Sequence, residues 1–171
     1  MDGHRGLDTQ SLRFTEFSPT TYGAAMFRAL ANVSLSSVTS ISLIDDMPEG
    51  NPAQPTAAIC ALLEYLTRVT FMRLCPGGLV LEVVRRLGDD LELCPELREL
   101  EVVVAGRTCR MVSEVMVEMV KARAGGGAER KMRKVECSPP ADSQRSEEVR
   151  VRRVWGKLRE RAELEKYLSD E

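Results

Sequence analysis

LRELEV, Leu97 to Val102, sets apolar residues at its first, fourth and sixth positions and glutamates at its third and fifth. Leu100 and Val102 then face one side and Glu99 and Glu101 the other, the period-two alternation of a half-buried strand. The same spacing recurs in VTSISL (Val38 to Leu43), VTFMRL (Val69 to Leu74) and MRKVEC (Met132 to Cys137), with a weaker copy in LRFTEF (Leu12 to Phe17). The starts lie 26 to 35 residues apart, the length of one strand plus one helix. A period of that size signals a repeat architecture, in which no unit buries its apolar face alone and stacking on neighbours supplies the balance.

Between the hexads the apolar period changes to that of a helix. Thr56 to Leu66 places Ile59, Leu62, Leu63 and Leu66 on one stripe behind Pro55, and Met111 to Ala124 does so with Val112, Val115, Met116 and Met119. Gly77-Gly78 opens a shorter helix, Leu79 to Leu87, Tyr22 to Ala31 is the weaker helix of the first unit, and Gly125 to Gly127 stops the helix that ends near Ala124. Strand–helix alternation predicts parallel strands joined by crossover helices. A closed or doubly wound sheet shares that order. The hexad that opens every unit favours an α/β, leucine-rich-repeat-like arc of about five strand–helix units, plus a C-terminal helix.

The repeat spans 12–137. Residues 1–11 read as a flexible leader and 138–146, rich in proline and polar residues, as a linker. Residues 147–171 read as a capping helix and tail, with Val151, Val154, Trp155, Leu158 and Ala162 on one face.

Composition bounds the function. The 171 residues carry 24 Lys and Arg against 26 Asp and Glu, a net charge of -2, with 43% apolar residues. That is one ordinary domain, neither a polyelectrolyte nor a dedicated nucleic-acid binder. The longest apolar run, Ala57 to Leu63, is far short of the ~20 residues a bilayer span needs, so no membrane partner is expected. Five cysteines at 60, 75, 94, 109 and 137 share no CxxC spacing, which fits reduced thiols in a cytoplasmic or nuclear setting.

An enzyme would show a constellation, and the sequence has none: no GxSxG, GxxxxGK[ST], HExxH or GxGxxG. A non-enzymatic chain without metal or cofactor is the expectation. Asp45-Asp46 and Asp89-Asp90 read as solvated turns, and Met111, Met116, Met119 and Met132 as core. Charge is polarised along the chain. Lys121, Arg123, Arg130, Lys131, Arg133 and Lys134 face Glu129 alone, whereas Glu82 to Glu101 holds seven acids against three arginines. The basic segment 121–134 makes polyanion or nucleic-acid binding by a compact α/β domain the alternative to protein binding.

In an arc the third and fifth hexad positions line up on one face. They are Phe14 and Glu16, Ser40 and Ser42, Phe71 and Arg73, Glu99 and Glu101, and Lys134 and Glu136. Phe71 beside Arg73 is the most interface-like pair, since aromatics and arginine are enriched among binding hot spots.

LCPELRELEV (Leu93 to Val102), a helix ending in VEMVKAR (Val117 to Arg123) and a glycine-rich turn before MRKVEC together resemble the C-terminal leucine-rich repeats of fungal F-box-like proteins. The resemblance implies an intracellular target-recognition module of a cullin-type ubiquitin ligase, with a protein target on the repeats. Docking on the ligase adaptor is implied only through an upstream F-box, because the first 40 residues hold no Leu-Pro-initiated three-helix segment. The ninth repeat position, where such repeats carry a backbone-satisfying Asn or Cys, holds Thr20, Asp46, Gly77, Ala105 and Pro140 here, and an irregular arc is expected.

Overall fold

A computed structural model of the chain describes residues 35–43, 59, 61–75, 79–104, 109–139, 149 and 165–168. Four of the five hexads become strands: β1 (Ser40–Leu43), β2 (Phe71–Leu74), β3 (Glu99–Val103) and β4 (Lys134–Ser138). They form one sheet in sequence order, every pairing parallel. The register does not slip: Ser40 faces Phe71, Phe71 faces Glu99 and Glu99 faces Lys134. Equal hexad positions therefore form rows across the sheet.

The inward rows explain why the hexad specifies this register. Val38, Val69, Leu97 and Met132 at the first position, Ile41, Met72, Leu100 and Val135 at the fourth, and Leu43, Leu74, Val102 and Cys137 at the sixth are each at most 7% exposed. A one-residue slip would move such a row to the polar face, so burial holds the pairing. Just before each strand the backbone repeats a second device. The carbonyls of Thr39, Thr70 and Arg98 each accept two N–H groups from the next unit: Thr70 and Phe71, Arg98 and Glu99, Arg133 and Lys134, at 2.7–3.2 Å.

Helices α1 (Leu79–Asp89) and α2 (Cys109–Gly125) pack on each other over the inward rows. Val80, Val83, Val84 and Leu87 of α1 and Val112, Met116, Met119 and Val120 of α2 share one core with the strands. Successive parallel neighbours joined by crossovers of one hand place those crossovers on one face of the sheet. Residues 59 and 61–63 are helical, but 64 and 65 already turn, so the helix expected to reach Leu66 ends sooner, although Leu66 is fully buried. In α1 the helix runs past Leu87 through Gly88. A Cβ there would stand 3.0 Å from the Met119 Cα, so the missing side chain is what lets α2 approach. α2 ends at Gly125, and Gly127, at φ 118°, turns the chain into the short 3-10 turn Ala128–Arg130.

Met111 corrects an expectation. It is half exposed, because the buried stripe of α2 begins at Val112, about 100° around the helix from it, whereas Met116, Met119 and Met132 are core. The hexad LRFTEF, the helix 22–31, all five ninth-position residues, Asp45-Asp46, the linker beyond 139 and Trp155 lie outside the described residues. From the C-terminal segment, Tyr167 and Leu168 pack against the core, and the Lys121 Nζ lies 6.0 Å from the Tyr167 ring centroid. Among the described residues no helix is long and apolar enough to cross a membrane.

Candidate functional site

The face of the sheet opposite the helices carries the third and fifth hexad positions. One row reads Ser40, Phe71, Glu99, Lys134 and the next Ser42, Arg73, Glu101, Glu136. The structure thus brings eight of the ten expected residues onto one surface, half-buried over β1 to β3 and exposed on β4. Phe14 and Glu16 lie outside the described residues.

Charge ties neighbours within and between the rows. The Arg73 Nε lies 3.6 Å from a Glu101 carboxylate oxygen and the Lys134 Nζ 3.1 Å from that of Glu136. The other Glu101 oxygen accepts the Ser138 hydroxyl at 2.6 Å. Arg73 Nε is buried without a hydrogen-bond partner, since 3.6 Å is too long for one. Glu136, then Glu99 and Glu101, push the Lys134 ammonium above its ordinary range, the mark of a negative field on this half of the face. Beyond Glu101 the outward Val103 is 2% exposed and lies outside the main core.

The basic segment is not a comparable surface. Arg123 is fully buried on the helix side, where its Nη1 donates to the carbonyls of Leu87 (3.2 Å) and Leu93 (3.3 Å) and its Nη2 to that of Cys94 (2.7 Å). Burial pulls the guanidinium below its ordinary pKa, and Cys94 partly offsets this. Arg130 pairs with Glu92 at 2.6 Å, Lys121 with Glu118 at 3.2 Å and Lys134 with Glu136. Lys131 is half-buried and Arg133 exposed. Arg123 is thereby removed from the expected polyanion set: a buried guanidinium bonded to carbonyls offers a phosphate nothing. The other five members stand against acids or on different elements.

Two arginines that sequence reading did not single out as structural instead hold the loops. Arg98, just before β3, donates to the carbonyls of Lys131 (2.9 Å) and Ala128 (3.3 Å) one unit ahead, while Arg123 holds the turn before β3 from α2. A signal for Arg123 existed, because it lies on the apolar stripe of Met116, Met119 and Val120 at helical spacing. Arg98 carried none.

Cysteine chemistry is absent from the face's centre. Cys94 is buried, in the left-handed region at φ 46°, and burial pushes its thiol up to about 12. The Cys94 thiol donates to the Leu63 carbonyl at 3.8 Å. Asp89 and Asp90 are exposed as expected, but Asp89 is the last residue of α1 and only Asp90 lies beyond it, its Oδ1 accepting the Glu92 N–H at 3.0 Å. Among the described residues no three His, Cys, Asp or Glu side chains group as a metal site.

No family model matches the chain, and neither a curated protein nor a solved structure matches it.

Proposed function

We propose that the chain is a leucine-rich-repeat-like arc of about five units that acts, without enzymatic activity, as a protein-binding module through the open face of its sheet. One observation carries this. Sheets of parallel strands are ordinarily covered by helices on both faces, and their strands then read as continuous apolar runs. Here β1 and β2 alternate half-buried with buried residues, β3 does so as far as Val102 before the buried Val103, and β4 alternates exposed with buried ones, so most of the second face is built to meet water or a partner. Phe71 beside Arg73 supplies the kind of anchor such interfaces use. The target-recognition role for a cullin-type ubiquitin ligase, in the cytoplasm or nucleus, is supported by the resemblance of LCPELRELEV and MRKVEC to F-box-like repeats.

The test is affinity purification with the full chain and with Phe71→Ala/Arg73→Ala. The double variant is expected to lose the captured protein while its thermal midpoint moves by no more than about 2 °C, as befits changes on a polar face. Ligase subunits among the captured proteins, and a shorter half-life of the target in the presence of the chain, support the ligase role. Binding and stability falling together overturn the docking face.

A further inference from the structure

The open face is electrically divided. Over β1 and β2 it presents Ser40, Ser42, Phe71 and Arg73; over β3 and β4 it presents Glu99, Glu101, Glu136 and, against them, Lys134 alone. The carboxylates are spread along two strands and do not group as a metal site. Glu101 is held by Arg73 and Ser138. Glu99 and Glu136 stand on either side of Lys134, one across the strand pair and one two residues along its own strand. Lys134 therefore occupies, from within the chain, the place that a partner's cation would take.

Resting on the docking role proposed above, we propose that the occupant of this face is an extended polypeptide segment that crosses the strands, with an apolar side chain over Phe71 and a lysine or arginine two residues farther on, between Glu99 and Glu136. The spacing follows from the sheet. Neighbouring strands lie ~4.8 Å apart, so the line between β3 and β4 runs ~7 Å from β2, and an extended chain covers ~6.6 Å in the two residues that bring its side chains back to the same face. The sign follows from complementarity: like charges juxtaposed at an interface are strongly disfavoured, and a nucleic-acid phosphate would meet Glu99 and Glu136 with Lys134 alone between them. Arginine suits the site better than lysine, because its planar fork engages a carboxylate through two parallel bonds. Lys134 competes with the arriving cation. Removing it frees both glutamates for the partner.

The experiment pans a display library of random peptides on the full chain and measures the enriched peptides by fluorescence anisotropy. Enriched sequences are expected to carry an apolar residue and a basic one two positions farther on. Their affinity is expected to fall roughly tenfold, about 1.4 kcal/mol, with Glu99→Gln/Glu136→Gln, and to rise a few-fold with Lys134→Ala. Glu114→Gln on the exposed side of α2, tested beside them, is expected to change nothing. Peptides rich in acids whose binding Phe71→Ala abolishes would overturn the charge assignment and leave the docking face standing. No enrichment, or binding indifferent to Phe71→Ala and to the glutamate variants alike, would overturn both. Weaker binding with Lys134→Ala overturns the competition and with it the proposed seat of the cation.

Discussion

Arg123 and Cys94 show how one side chain can fix a turn. The left-handed backbone at Cys94 is unfavourable for a residue with a Cβ, by ~1 kcal/mol or more. The Arg123 fork holds it by bonding the carbonyls on both sides of Leu93–Cys94 and the end of α1. Arg123→Ala strips the side-chain donor from the buried Leu87 and Leu93 carbonyls, while that of Cys94 keeps the Leu97 N–H at 3.0 Å, and we expect a loss on the order of 3 kcal/mol in urea unfolding, where each orphaned group costs about 1–3 kcal/mol. Arg123→Lys keeps the charge but not the fork and is expected to recover less than half. A loss under about 1 kcal/mol for both would show that water replaces the guanidinium. Cys94 gives a pH signature. Its thiol ionises at about 12 in the folded chain against the ordinary 9.0, burial being the main cause and Arg123 opposing it. The folded state therefore keeps a proton that the unfolded state releases. The stability Cys94 contributes is full below pH 9.0 and is lost as pH rises toward about 12. Urea midpoints at about pH 8 and about pH 10.5 should show the gap between the native chain and Cys94→Ala narrowing at the higher pH. A constant gap would mean that the thiol is not desolvated.

At the scale of elements, two glycines in helices have opposite expectations. Gly88→Ala would gain roughly 1 kcal/mol of helix propensity. Its new Cβ, however, lies 3.0 Å from the Met119 Cα, a backbone atom that moves only if α1 and α2 separate. Overpacking costs about 1–3 kcal/mol, so a net loss near 1 kcal/mol is expected. Gly125→Ala, with nothing within 4 Å of its Cβ, should instead be neutral or stabilising by a few tenths of a kcal/mol. Equal thermal midpoints for the two variants would refute the helix contact. The strands were legible in the sequence because the hexad states both which residues turn inward and where each unit starts. VTFMRL and LRELEV pair in the register their spacing implies. The helix ends were less legible: the stripe of α1 stops at Leu87 while the helix runs on to Asp89, and only the neighbouring Met119 shows why position 88 carries no side chain. The open-face rows were likewise readable from third and fifth positions. The role of Arg123 was hidden by its company, since Lys121 to Lys134 reads as one basic run although its members point to different sides of the fold.

At the scale of the whole molecule, the sheet makes a claim about its own ends. Every backbone group of β2 and β3 has a strand on each side, whereas β1 and β4 are the outer strands among the described residues. An outer strand leaves alternate amides unpaired, and those exchange with solvent on opening that is local rather than global. The proposed arc of about five units places LRFTEF beside β1, since the four other copies of the hexad all became parallel strands in sequence order. Hydrogen exchange resolved by peptide should then show 40–43 protected like 71–74 and 99–103, with protection also across 12–17, while 134–138 exchanges at least ~10-fold faster at its unpaired amides. In that register Phe14 falls beside Ser40 and Glu16 beside Ser42, extending both open rows by one unit. Unprotected amides over 12–17, together with 40–43 exchanging as fast as 134–138, would end the arc at four units. The open face would then begin at Ser40 and Ser42, and Phe71 would remain the sole aromatic anchor that its rows provide.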